Sequence, residues 1–189
     1  MSNVKGSIFK YTKEYVVNTY GHKSWYSLLS LLTPDERDTI EMDIHEDKWY
    51  PVSLFKRVIG AFDNTFASGE FKTIVPIAKY IAEKDIMPIF KKFSDLKNIP
   101  LVLRNAPALW KRYFDTGEIR VENALDEERA FNFTFHNFDD ISTQILCSYL
   151  VSTWLRQVLK SAGADNVSII YTDTLGTNHV PSSLEVTWS

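Results

Sequence analysis

Thr116-Gly117-Glu118-Ile119-Arg120-Val121-Glu122, followed by Phe131-Asn132-Phe133-Thr134-Phe135-His136, decides the fold. Up to Asp115 the apolar residues recur every three or four positions; from here they recur every second one. A period of 3.6 lays side chains along one stripe of a helix, whereas a period of two sorts them onto the two faces of a strand. Ile119 and Val121 alternate with Arg120 and Glu122, and the three Phe alternate with Asn132, Thr134 and His136. This predicts a hairpin, with Asn123 to Glu128 as its polar connection. A face made only of Phe needs a cover. The stretch from about Asp140 to Ala162 supplies it, because Leu146, Cys147, Leu150, Val151, Trp154, Leu155, Val158 and Leu159 surround most of its girth. A helix apolar around most of its surface is a central one. Asp139 and Asp140 suit its positive N-terminus, and Gly163 suits its end. Val167, Ile169 and Tyr171 then alternate, as do Leu184, Val186 and Trp188, which predicts a second hairpin closed around Gly176 and Pro181.

Residues before Thr116 read as helices. The first runs from about Lys5 to Tyr20, with Ile8, Phe9, Thr12, Tyr15, Val16 and Thr19 on one side and Gly21 as its stop. A second runs from about Ser24 to Leu32. Thr33-Pro34-Asp35-Glu36 is a strong start signal for a short polar helix: Thr at the N-cap, Pro at the first helical position, Glu at the third. Trp49-Tyr50-Pro51 interrupts the helical pattern, and Pro51 fixes the entry to a helix reaching about Ala67. Further helices are expected from about Glu70 to Lys84, Met87 to Leu96 and Pro100 to Asp115, with Pro76 and Pro107 as places of bending. The expected architecture is α+β: a helical part over about 1–115, then strand-strand-helix-strand-strand forming a four-stranded antiparallel sheet on the long helix. No Gly/Ser/Pro linker divides the parts, so 1–189 is expected to be a single domain.

The 189 residues carry 21 basic and 24 acidic side chains, a net charge of -3, which speaks against a globally basic nucleic-acid binder. The charge is uneven: Thr116 to Ser189 holds 4 basic and 10 acidic residues, while Lys79 to Arg112 holds 8 and 3. That basic stretch reads either as an anion or partner patch or as a solvated helix face. The apolar runs are too short to span a bilayer. Cys147 is the sole cysteine, so no intrachain disulfide forms, and the first residues lack a signal-peptide core; a cytoplasmic location is expected.

Chemical motifs are scarce. The seven Gly are scattered, so neither a dinucleotide fingerprint nor a phosphate loop can be built. His45-Glu46-Asp47-Lys48-Trp49 starts like a zinc-protease helix, but Trp49 stands where the second His belongs. Cys147 and His136 suggest a thiol and its base, yet an apolar helix keeps a thiol protonated and inert. Glu118, Glu122, Asp126, Glu127 and Glu128 fall in or beside a turn, where charge is solvated. No catalytic residue, metal site or cofactor is expected from these residues. The aromatic set Tyr15, Trp25, Trp49, Tyr50, Trp110, Tyr113, Phe114 and Trp154 remains. It reads either as the lining of an apolar ligand pocket or as core packing at helix junctions.

Lys5-Gly6 opening a helix that closes at Tyr20-Gly21, Trp49-Tyr50-Pro51 opening the next long helix, Leu109-Trp110-Lys111-Arg112-Tyr113-Phe114-Asp115-Thr116-Gly117 before the sheet, and Val186-Thr187-Trp188 at the end resemble an uncharacterised bacterial family best known from myxobacteria. That family is similar in layout to haem-based nitric-oxide sensor domains, vinyl-reductase-like sensor domains and vesicle-tethering subunits with an acyl-chain tunnel. The resemblance implies a helical part, an α/β half and an internal pocket, but no reaction. Two departures bear on cofactors. The haem sensors hold the propionates with Tyr-x-Ser-x-Arg and the iron with a His on a helix against the haem; the string is absent, and His22, His45, His136 and His179 all lie outside apolar helices. Zinc-binding relatives use Cys near the last hairpin, which here has none. The implied function is a non-enzymatic bacterial sensor or interaction domain that binds a small apolar ligand or a partner protein. The alternative is a structural interaction module with a filled core, dimeric like the tethering subunits.

Overall fold

A computed structural model describes residues 2–66, 74–94, 98–123, 129–175 and 180–189. The two hairpins form one antiparallel sheet. Strands β3 (Glu118–Asn123), β4 (Ala130–His136), β5 (Ser168–Leu175) and β6 (Val180–Thr187) lie in the order β3-β4-β6-β5. Phe133 sits between Val121 on one side and Leu184 on the other. Phe131, Phe133 and Phe135 are all buried, as period-two sorting requires. The expected α+β architecture is what the chain adopts.

Helix α9 (Ile141–Ser161) packs against β6 and, on its other sides, against helices of the first part. Its start is fastened by Asp140. One carboxylate oxygen accepts the Thr143 backbone N–H at 2.9 Å, and the Lys56 ammonium lies 2.9 Å from the other. Burial pushes the Asp140 carboxyl upward, but hydrogen bonds from Ser142, Lys56 and Thr143 outweigh it and hold the group well below the usual carboxylate range.

The first part contains α1 (Gly6–Tyr20), α2 (His22–Leu29), α3 (Pro34–Asp38), α4 (Val52–Phe66), α5 (Ile74–Ile81), α6 (Met87–Ser94), α7 (Ile99–Arg104) and α8 (Ala106–Tyr113). Thr33 and Glu36 form the reciprocal capping box that their spacing announces. Several boundaries differ from expectation. Helix α2 starts at His22 and ends at Leu29 rather than spanning 24–32, and Leu31 is 59% exposed. The expected helix from Pro100 to Asp115 is two helices parting at Asn105, whose side-chain amide donates back to Leu101 O at 2.7 Å. Pro107 falls in the first turn of α8, where it is tolerated, instead of bending a longer helix. Helix α5 does not end at Lys84. A π-helical turn, Ala82–Ile86, joins it to α6. Pro181 lies within β6, opposite Thr174, rather than in a loop. Phe71, Leu96, Asp126 to Glu128, Gly176 and His179 lie outside the described residues.

Trp49-Tyr50-Pro51 proves to be a short strand, β2 (Trp49–Pro51), paired antiparallel with β1 (Asn3–Lys5). This pair places the 46–48 turn over the start of α1. Gly6 N–H donates to Lys48 O at 3.0 Å and Ser7 N–H to Glu46 O at 3.1 Å, so backbone carbonyls cap two of the helix's open amides. The approach leaves no room for a side chain: a Cβ on Gly6 would stand 2.0 Å from His45 O.

Two outcomes follow from this geometry. Gly6→Ala should cost about 1–3 kcal/mol or more, since backbone must move; Gly60→Ala, with open space around its added methyl, should stabilise α4 by about 0.5–1 kcal/mol. Urea titration ranks the two directly. Asp140→Asn retains a good N-cap but not the charge. The native carboxyl titrates below its unfolded value of about 3.9, so its stabilisation is complete above that pH and is lost as pH falls through the folded value. The variant should be the less stable protein at neutral pH, and the gap should narrow below about pH 4.

Candidate functional site

The eight aromatic candidates fall into three places. Trp110, Tyr113, Phe114 and Trp154 form one stack between α8 and α9. The Trp110 and Phe114 rings lie parallel at 4.1 Å, and Trp154 meets Tyr113 at 5.4 Å and Phe114 at 6.5 Å. Each polar tip is anchored. Trp110 Nε1 donates to Thr116 O at 2.8 Å, Trp154 Nε1 to Ala78 O at 3.1 Å, and the Tyr113 hydroxyl to Asp85 Oδ2 at 2.8 Å. Tyr15 belongs elsewhere, edge-on to Tyr20, Phe62 and Tyr80. Trp25 is buried on α2. Trp49 is 41% exposed under the Lys5 ammonium, which lies 4.4 Å from its ring. Tyr50 is buried edge-on to Phe9, and its hydroxyl accepts the His45 N–H at 2.8 Å. Tyr50 is thus a wedge in the β1–β2 corner.

Of the eight, Trp110 and Trp154 border the apolar cavity at this junction. Val102, Ala106, Leu109, Ile119, Val151, Leu155 and Val158 complete its walls, and its volume is about 20 Å³. A space of that size holds about one water molecule, while sites for small organic ligands run to about 300–1,000 Å³. At this junction the aromatic rings pack against one another.

A second depression is larger and polar. It has a volume of about 430 Å³ and is walled by Lys5, Ser7, Tyr11, Glu46, Asp47, Asp85, Arg112 and Tyr113. Sequence reading missed it because its walls come from α1, the 46–48 turn, the π turn and α8. Only Tyr113 among the candidates reaches it. Burial, then the hydrogen bond to Asp85, pushes the Tyr113 phenol far up, so it stays a protonated donor. Burial and the Asp85 charge also push Tyr11 up.

The described histidines and the thiol stand apart from both spaces. His22 and His45 are exposed, and His136 faces Thr134 Oγ1 at 3.0 Å. Cys147 is fully buried, and burial pushes its thiol up, which keeps it inert. Among the described residues no group of three His, Cys, Asp or Glu is placed to hold a metal ion, and no helix is long and apolar enough to cross a membrane.

No family model matches the chain, and no curated protein matches it in sequence. Solved structures do match in fold. An H-NOX protein from K. algicida in the Fe(II) unliganded state superposes with a TM-score of 0.75 at 11% identity, over 98% of this chain and 96% of that one. An H-NOX protein from S. oneidensis in the Fe(II)NO state gives 0.71 at 14% identity, over 98% and 99%. A structure concerned with haem redox potential and porphyrin distortion gives 0.60 at 11% identity, over 98% and 99%. At such identities the likeness shows the fold.

The described residues do not fit haem. Haem iron takes an axial His, Cys, Met or Tyr; the apolar cavity is walled by aliphatic side chains and two Trp, and is far too small for a macrocycle. The polar cleft offers charged walls where the flat faces of a porphyrin need apolar cover, and its Tyr113 hydroxyl is committed to Asp85.

The anchoring pattern has a measurable consequence. Trp154→Ala should destabilise by about 3–5 kcal/mol, as for a large buried aromatic. Tyr50→Phe should cost about 1 kcal/mol, the worth of one buried hydrogen bond. Denaturant titration of both variants checks the order.

Proposed function

We propose that this chain is a non-enzymatic sensor or interaction domain that uses the H-NOX fold without haem, with residues 1–189 acting as one unit. The observation that carries the reading is the closed junction between α8 and α9, where stacked Trp110 and Phe114 and the facing Trp154 leave about 20 Å³. A small apolar ligand would enter there by parting Leu109 from Leu155 and Val158. Its effect would be to favour one packing of α8 on α9 over another, since a ligand shifts an equilibrium only through its differential affinity. The inert, buried Cys147 and the separate position of His136 support the absence of a thiol-based activity.

The smallness of the same cavity also favours a second reading, an interaction module with a filled core that meets a partner protein or a second copy at its surface. Native mass spectrometry separates the two: a retained small molecule supports the sensor, and a bare chain supports the module. Absorption spectra after expression with a haem precursor test the part common to both. No Soret band is expected. A stoichiometric Soret band would overturn the haem-free reading and assign an axial ligand to one of the His residues.

A further inference from the structure

Asp85 lies on the π-helical turn that interrupts the run from α5 to α6. Such turns are rare in α-helices and occur disproportionately at functional sites, because the extra residue re-aims a side chain. Here the turn aims Asp85 at the floor of the polar cleft. Among the described residues its hydrogen-bond partner is the Tyr113 hydroxyl on Oδ2, which leaves Oδ1 open, and no basic side chain is within ion-pair distance. Arg112 also lines the cleft beside Tyr113, without a carboxylate partner among the described residues.

Of the other charges of the cleft, Glu46 and Lys5 are engaged, and the Asp47 carboxylate is exposed. Glu46 pairs with Lys10 at 2.7 Å. Lys5 donates to Asp47 O at 2.6 Å and covers the Trp49 ring. Asp85 and Arg112 therefore flank a phenol, with Tyr11 also on the wall, in a space of about 430 Å³. A simple anion would face Asp85, and a simple cation would face Arg112. A ligand carrying both signs a few bonds apart meets neither penalty.

We propose that this cleft binds a free amino acid, its ammonium group on Asp85 and its carboxylate on Arg112. The paired oxygens of a carboxylate match the guanidinium fork. The ammonium group finds the open Asp85 carboxylate oxygen. The proposal rests on the reading of the chain as a sensor but not on the apolar cavity, so the Soret measurement and the following one fail independently.

Saturation-transfer NMR of the full chain against the standard protein amino acids should identify at least one binder. Calorimetry then compares that amino acid with the matching amine lacking the carboxylate and the matching acid lacking the amine. Each analogue should bind about tenfold more weakly or worse, as should the parent ligand to Asp85→Asn and to Arg112→Gln, because each change removes one charge-assisted contact. Lys79→Gln, outside the cleft, should bind as the parent does. Asp85→Asn keeps an acceptor for Tyr113, and an unchanged melting temperature confirms that it folds. Binding by no amino acid, equal binding of either analogue, or full affinity in Asp85→Asn would overturn the proposal.

Discussion

The indole of Trp154 donates its N–H to Ala78 O, and much of the molecule is arranged around that bond. Ala78 lies in the last turn of α5, just before the α pattern gives way to the π turn. A carbonyl at such a junction is open to a side-chain donor. The bond ties the helical part to α9, and α9 in turn covers the Phe face of the sheet. The circuit closes through Tyr113, whose ring rests on Trp154 while its hydroxyl reaches Asp85 on the same π turn. Burying two indoles and a phenol costs free energy unless their polar tips are satisfied. Here each tip finds its acceptor on a different element, so the hydrogen bonds also fix where α5, α8 and α9 stand relative to one another.

That circuit explains how little space the described residues leave where α8 meets α9 in a fold shared with H-NOX proteins. Aromatic side chains each fill a large volume, and four of them meet where α8 faces α9. A fold constrains element order and layers; it does not constrain what fills the space between them. The α8–α9 junction is consequently packed around a void the size of a water molecule, and charged side chains gather at a surface cleft bordered by the same helix. Trp110 points inward, while Arg112 and Tyr113 border the cleft.

Much of the architecture was legible because burial leaves a period. The alternation at Phe131, Phe133 and Phe135 and the near-complete apolar girth of α9 each have one physical solution, and the capping box at Thr33 and Glu36 is a local signal needing no tertiary context. What was not legible lacks such a signal. Strands β1 and β2 have three residues each and are held by backbone pairing and the close approach at Gly6, which side-chain patterns do not record. The π turn at Ala82–Ile86 is invisible because the donors that meet it and the end of α5, Trp154 Nε1 from α9 and the Tyr113 hydroxyl from α8, lie far along the chain. Spacing along a helix tells that a ring faces inward and not which ring it meets. Tyr15 accordingly went with Tyr20, Phe62 and Tyr80, and Tyr50 with Phe9. Asp85 and Arg112 carried no motif at all; they become notable only once the π turn and α8 bring them to the same phenol.

Tyr113 also supplies a physical route between surface and core. Its hydroxyl is held by Asp85, so any charge that competes for that carboxylate weakens the bond that fixes the ring. The ring also rests on Trp154, and packed interiors respond by moving between discrete arrangements rather than deforming smoothly. Trp154 answers to Ala78 O, and through it to the π turn that aims Asp85. Occupancy of the cleft and packing of the α8–α9 junction are thus two ends of one hydrogen-bonded ring circuit. A molecule that binds one end with different affinity in two packings must bias the other end by the same free energy, and a filled core transmits that bias as well as a hollow one.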